Sequence, residues 1–220
     1  MTTATPAANP TDRLIERLTG QLAPVRALRM RDGLALTLAA SVLTIAIVLG
    51  WLGLRRELLV GEASAMFVIA NGLILLLGLA AAVTVVRMGS PQVGNRHEGW
   101  KWALAMAGLL PLAAVVRLAL HWQELPQIVT GTQGPDCLLH ALGLSLFTAA
   151  ALVAWLRKGA PASPPLAGLL TGIAAGALGT FAYGLACPVE TIYHLGVWHS
   201  LPVALAALAG KMLVPRLIRW

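Results

Sequence analysis

Six long apolar runs organise this chain, at about residues 34–54, 63–86, 101–120, 137–156, 165–186 and 195–214. Each approaches the roughly 20 residues that carry an α-helix across a bilayer core. Ahead of them lies a shorter, different pattern. Leu14, Ile15, Leu18 and Leu22 recur at helical spacing on one face, and Arg13, Glu16 and Arg17 lie off it. Thr11 reads as the N-cap of this helix, and Gly20 and Pro24 limit its length. A helix of about 11 residues is marginal alone in water. Its apolar stripe therefore needs cover, either from a membrane surface or from a docked protein. Residues 1–10 are small, polar and proline-bearing, and read as disordered. The first apolar run starts only after residue 32, so no signal peptide is expected at the start. The division is thus an N-terminal segment, 1–32, and a six-helix domain, 33–220.

Composition agrees with this pattern. Of 220 residues, 58% are hydrophobic and 11% charged, against about 25% charged in soluble domains. The expected class is an all-α integral membrane protein whose main partner is the lipid bilayer. The net charge of +7 would suggest nucleic acid in a soluble protein. Here its distribution explains it without direct nucleic-acid binding. Thirteen of the sixteen Lys and Arg fall on one side of the six runs; Arg55 and Arg56 lie on the other, and Arg117 sits inside the third run. Cytoplasmic loops collect such charge, so both termini are expected inside, with the first segment a short cytoplasmic amphipathic helix. The outer connections are then 55–62, 121–136 and 187–194. Tryptophans near the run ends read as interfacial depth markers. Gly168, Gly172 and Gly176 repeat every four residues, which gives the fifth run a smooth face for close helix packing. Asn71, mid-run, reads as a packing hydrogen bond. Arg117 is expected to snorkel rather than to pair with Glu124 or Asp136.

The chemistry concentrates at the outer edges. Leu185–His199 (LACPVETIYHLGVWH) holds Cys187, Glu190, His194 and His199, and the motif PDCLLH holds Cys137 and His140. Asp136 reads as an N-cap, with Cys137 the first residue of the fourth helix and His140 on its face. Pro188 stops the fifth helix just after Cys187. The short turn GAPASPP makes the fourth and fifth helices antiparallel neighbours, which brings both cysteines to one end. Two readings stay open. The thiols can approach within the roughly 4.4–6.8 Å Cα separation of a disulfide, favoured outside a bacterial inner membrane. Alternatively, cysteine and imidazole together suit soft or borderline metals such as Zn²⁺ or Cu⁺. A helix N-terminus should lower the Cys137 pKa, and a C-terminus should raise that of Cys187.

Rival classes fit less well. A thiol–quinone oxidoreductase needs a second thiol pair, and this chain has only two cysteines. A small inner-membrane transporter should carry ionisable groups deep in its spans, and only Arg117 approaches that. No catalytic set and no cofactor is expected. The chain does resemble the NrsF-type membrane anti-sigma factors. The resemblance rests on LIERLTGQLAPVRALR (Leu14–Arg29), six spans, an outer cysteine before the fourth, CP (Cys187, Pro188) after the fifth, WH (Trp198, His199) opening the sixth, and a basic tail. It implies a multi-pass protein of the bacterial inner membrane that is not an enzyme. It implies that Leu14, Ile15, Leu18 and Leu22 bind an extracytoplasmic-function sigma factor. It further implies that Cys137 and Cys187, with His140, His194 and His199 beside them, sense oxidative stress or a heavy-metal ion as inducer.

Overall fold

A computed structural model of the chain describes residues 9–20, 28–90, 99–124 and 133–219. Regular structure among them is helical: α1 (Pro10–Gly20), α2 (Met30–Trp51), the short α3 (Arg56–Leu59), α4 (Ala65–Met88), α5 (Gly99–Ala107), α6 (Leu109–Leu120), α7 (Gln133–Leu156), α8 (Pro164–Gly184) and α9 (Leu201–Leu217). A 3₁₀ turn at Trp122–Glu124 and a π-helical turn at His194–Trp198 complete the set. Six stretches are long and apolar enough to cross a membrane: Met30–Trp51, Ala65–Met88, Trp100–Leu120, Gln133–Leu156, Pro164–Gly184 and His194–Leu217. They correspond to the six expected runs. Leu22 and the expected disorder over residues 1–8 lie outside the described residues.

Several expected boundaries move for local reasons. The cap of α1 is Asn9 rather than Thr11. Its side-chain oxygen accepts a hydrogen bond of 3.1 Å from the backbone N–H of Thr11, and Pro10, which has no N–H to satisfy, takes the first helical position. α7 begins at Gln133, so Asp136 sits inside its first turn and Cys137 is not the first helical residue. The third span is two helices meeting at Gly108. Pro111 cannot donate to the carbonyl of Ala107, and a helix yields at that point.

α8 is the axis of the bundle. Fifteen of its 21 residues are buried, and α9, α4 and α7 all pack on it. Its glycines decide how closely. A Cβ on Gly172 would strike the backbone of Ala206, and one on Gly176 would lie 2.8 Å from the Cα of Val203, both on the sixth span. The four-residue repeat thus lines the contact with α9. The fourth span is met by Gly179 instead, where a Cβ would lie 2.7 Å from the carbonyl of Ala141. Asn71 reaches the same axis, its Nδ2 donating to the Phe181 carbonyl at 3.5 Å. α2 is different: only Gly33, Thr37, Thr44 and Val48 are buried in it.

Trp155 departs from the interfacial pattern expected of the tryptophans. It is 3% exposed and its Nε1 donates to the Val86 carbonyl at 3.0 Å. Trp51, Trp102 and Trp122, by contrast, are 71–78% exposed, as a membrane-facing ring would be. Arg117 hydrogen-bonds through Nε to the Tyr193 hydroxyl at 3.4 Å, rather than only snorkelling.

Candidate functional site: a buried cysteine–histidine cluster

Cys187 follows the end of α8, where Pro188 halts the helix and the Cys187 N–H closes a turn onto the Tyr183 carbonyl at 3.1 Å. Cys137 arrives on the adjacent end of α7. Both thiols are free, and their Sγ atoms lie 3.8 Å apart. The Nε2 of His194 completes a triangle, 3.1 Å from Cys137 Sγ and 3.5 Å from Cys187 Sγ. His199 closes the set. One donor atom from each of Cys137, Cys187, His194 and His199 lies within 4.8 Å of all the others, and all four residues are buried.

The two histidines meet because of the π-helical turn. On an α-helix, residues five apart diverge by about 140°. The wider His194–Trp198 turn brings them onto one side, with ring centroids 5.4 Å apart. Gly196 within that turn lets α6 press close, since a Cβ there would lie 2.8 Å from the Leu110 carbonyl. Thr191 braces the entry, its Oγ1 accepting from the His194 N–H at 3.3 Å.

Two sulfurs and two imidazole nitrogens are a donor set suited to a d¹⁰ cation. Metal–sulfur bonds of about 2.3 Å at tetrahedral angles place two thiolates about 3.8 Å apart, which is the separation seen here. The same approach leaves the two thiols side by side, where an oxidant could join them. Neither ring nitrogen of His199 has a hydrogen-bond partner, although the residue is only 2% exposed. A buried imidazole left unpaired is costly, and a cation would supply its missing partner. The Cys187 thiol is pulled down to about 7, chiefly by the hydrogen bond with Cys137 and, in smaller measure, by the backbone at Val189 and the charge of Arg55. The expected rise at a helix C-terminus is therefore overturned, because the neighbouring thiol outweighs the dipole.

His140 stays outside this cluster. It stacks on Tyr183 at 5.4 Å, and its Nδ1 lies 2.7 Å from the Asp136 carbonyl oxygen. Tyr183 is a member that sequence reasoning missed; its hydroxyl lies 3.6 Å from Cys137 Sγ. It stands four residues before Cys187, a helical neighbour in plain view. Arg55 was also missed. Its side chain is 3% exposed and donates to Glu190 and, at 3.2 Å, to Glu57. Two arginines on the side opposite the other thirteen were the signal that could have found it.

At the other end of the chain, α1 has no buried residue, and Leu14, Ile15 and Leu18 are 53–59% exposed. The stripe is present and unfilled.

The sequence profile described as "Negative regulator of sigma F" (NrsF) matches residues 18–220. The chain is 31% identical over 219 residues to the "Anti-sigma-F factor NrsF" of Caulobacter vibrioides, covering 96% of this chain and 99% of that one. It is 26% identical over 174 residues to the "Probable anti-sigma-F factor NrsF" of Azospira oryzae, covering 79% and 82%. No solved structure matches the chain.

Proposed function

The chain belongs to the family of negative regulators of sigma F, NrsF, and on that premise we propose that it is a multi-pass anti-sigma factor of a bacterial inner membrane. Its N-terminal segment lies in the cytoplasm and holds an extracytoplasmic-function sigma factor against the exposed face of α1. A change at Cys137 and Cys187 on the outer side, through metal binding or oxidation, releases that factor.

One observation carries this reading: a single chain has both an uncovered apolar stripe on α1 and a buried set of reactive donors, together with six helices long and apolar enough to cross a membrane. An apolar stripe uncovered in a folded protein marks a contact surface. The thiols are the groups whose state an oxidant or a soft cation changes.

The test is capture. The full chain should copurify with a sigma factor from its host. Burying a Leu side chain is worth about 1.5–3 kcal/mol, so Leu14→Asp/Leu18→Asp should abolish capture while the protein still inserts. Undiminished capture by that variant would assign the stripe to the membrane surface.

A further inference from the structure

The N-terminal segment joins the membrane domain through α2, and α2 is lightly held. Its buried residues form one narrow stripe, Gly33, Thr37, Thr44 and Val48, whereas α8 is buried along most of its length. Beyond its last turn the chain passes Gly53, whose φ of 79° turns the backbone back toward the bundle. Arg55 follows. Among the described residues it is the one buried side chain of the Lys, Arg, Asp and Glu types.

Every group around Arg55 belongs to the cysteine end. Its N–H donates to the Leu185 carbonyl at 3.0 Å, just after α8 ends. Its guanidinium lies 4.6 Å from the centre of the Phe67 ring on the first turn of α4. It donates to Glu57 and to Glu190. Glu190 lies between Cys187 and His194 in the sequence, on the loop that links two members of the cluster. That loop therefore carries both the reactive groups and the acid that holds α2.

We propose that Arg55 and Glu190 are positioning residues that couple the cluster to the first span, holding α2 in the arrangement in which the N-terminal segment keeps its sigma factor. The inference rests on the function proposed above. A two-electron thiol oxidant joins the two thiols, which lie 3.8 Å apart, as a disulfide with loss of two protons and two electrons. Cys187 then moves toward Cys137, the loop that follows it is pulled along, and Glu190 withdraws from Arg55. Arg55 then keeps only Glu57, whose side chain is about half exposed. A buried guanidinium that loses the better-buried of its two carboxylates is destabilised, so the segment after α2 leaves its seat. α2 has little other burial to keep it in place. The two arrangements that coupling requires are thus Arg55 seated on Glu190 and Arg55 released.

The experiment uses the full chain in its host, with a sigma-dependent reporter and immunoblots to match protein levels. Arg55→Gln and Glu190→Gln should each derepress the reporter without any inducer, to within about threefold of the induced wild type. The exchange Arg55→Glu/Glu190→Arg should restore repression at least tenfold relative to either single variant. A purely structural role would instead lower protein level or leave the exchange derepressed, and either result overturns the coupling. So does Arg55→Gln that represses and responds like the wild type. Sigma capture by the uninduced wild type separates the two hypotheses. Absence of that capture removes the proposed function itself, whereas capture unchanged by Arg55→Gln removes only the coupling.

Discussion

Gly168 on α8 and Gly210 on α9 stand face to face, each occupying the space a Cβ on the other would need. A Cβ built on Gly168 lies 2.5 Å from the Gly210 carbonyl oxygen, and the converse contact is tighter still. Backbones this close gain dispersion contacts over a long interface, the main attraction between helices in lipid. A side chain at Gly172 would meet backbone on α9, which cannot rotate away. Overpacking commonly costs about 1–3 kcal/mol where side chains can adjust. Gly172→Leu should therefore abolish accumulation of folded protein, measured by detergent-solubilised yield and thermal aggregation. Gly143→Ala, with nothing within 4 Å of its Cβ, should leave both unchanged.

The cluster makes a prediction about membership. Cys137→Ser and Cys187→Ser should each abolish induction by a thiol oxidant or a thiophilic cation, and the double variant should be no worse than either. His194→Ala and His199→Ala should lower Cd²⁺ affinity of the purified chain at least tenfold by calorimetry, with one site per wild-type chain. His140→Ala, outside the set, should retain it. Equal losses for all three histidines would dissolve the four-residue site.

The Cys187 thiol, set at about 7, predicts a pH signature. Thiolate absorbance at 240 nm in the metal-free, reduced protein should show one titration centred near pH 7, absent in Cys187→Ser. The sign for stability follows. Between about 7 and the ordinary thiol value of 9.0, the unfolded chain holds more protons than the folded one. Stability should thus rise with pH across that window, and be lost as pH falls through 7. A first thiolate appearing only above pH 9 would refute the assignment.

Topology can be tested at the C-terminus. The charge distribution predicts that Lys211, Arg216 and Arg219 lie inside. A reporter fused after Trp220 should be active only in a cytoplasmic form, and alkaline-phosphatase activity there would invert the whole arrangement.

The six apolar helices were legible because hydropathy over about 20 residues is a strong signal, whereas the fifth helix, expected to run to Cys187, ends three residues earlier at Gly184. The meeting of His194 with His199 was not legible, because an α-helical period separates residues five apart and nothing in the sequence marks a π-helical turn. His140, by contrast, shares a face with Cys137 by spacing, yet Tyr183 claims its ring. The destination of the glycine repeat was hidden too. Periodicity reveals a smooth face but not which neighbour fills it, and α9 rather than α7 does so over Gly172 and Gly176. Arg55 was counted for its charge, and only the fold shows that it is buried.

The central position of α8 also bears on biogenesis. Domains assemble as the chain is synthesised from its N-terminus, and the helix against which α4 and α7 pack is the fifth span to be made. The sides of α4 and α7 that α8 covers therefore stay without that cover until Pro164–Gly184 is made. A chain arrested before residue 164 would accordingly keep the contacts of α2 with α7 and of α4 with α5, yet lack the helix that ties these two pairs together.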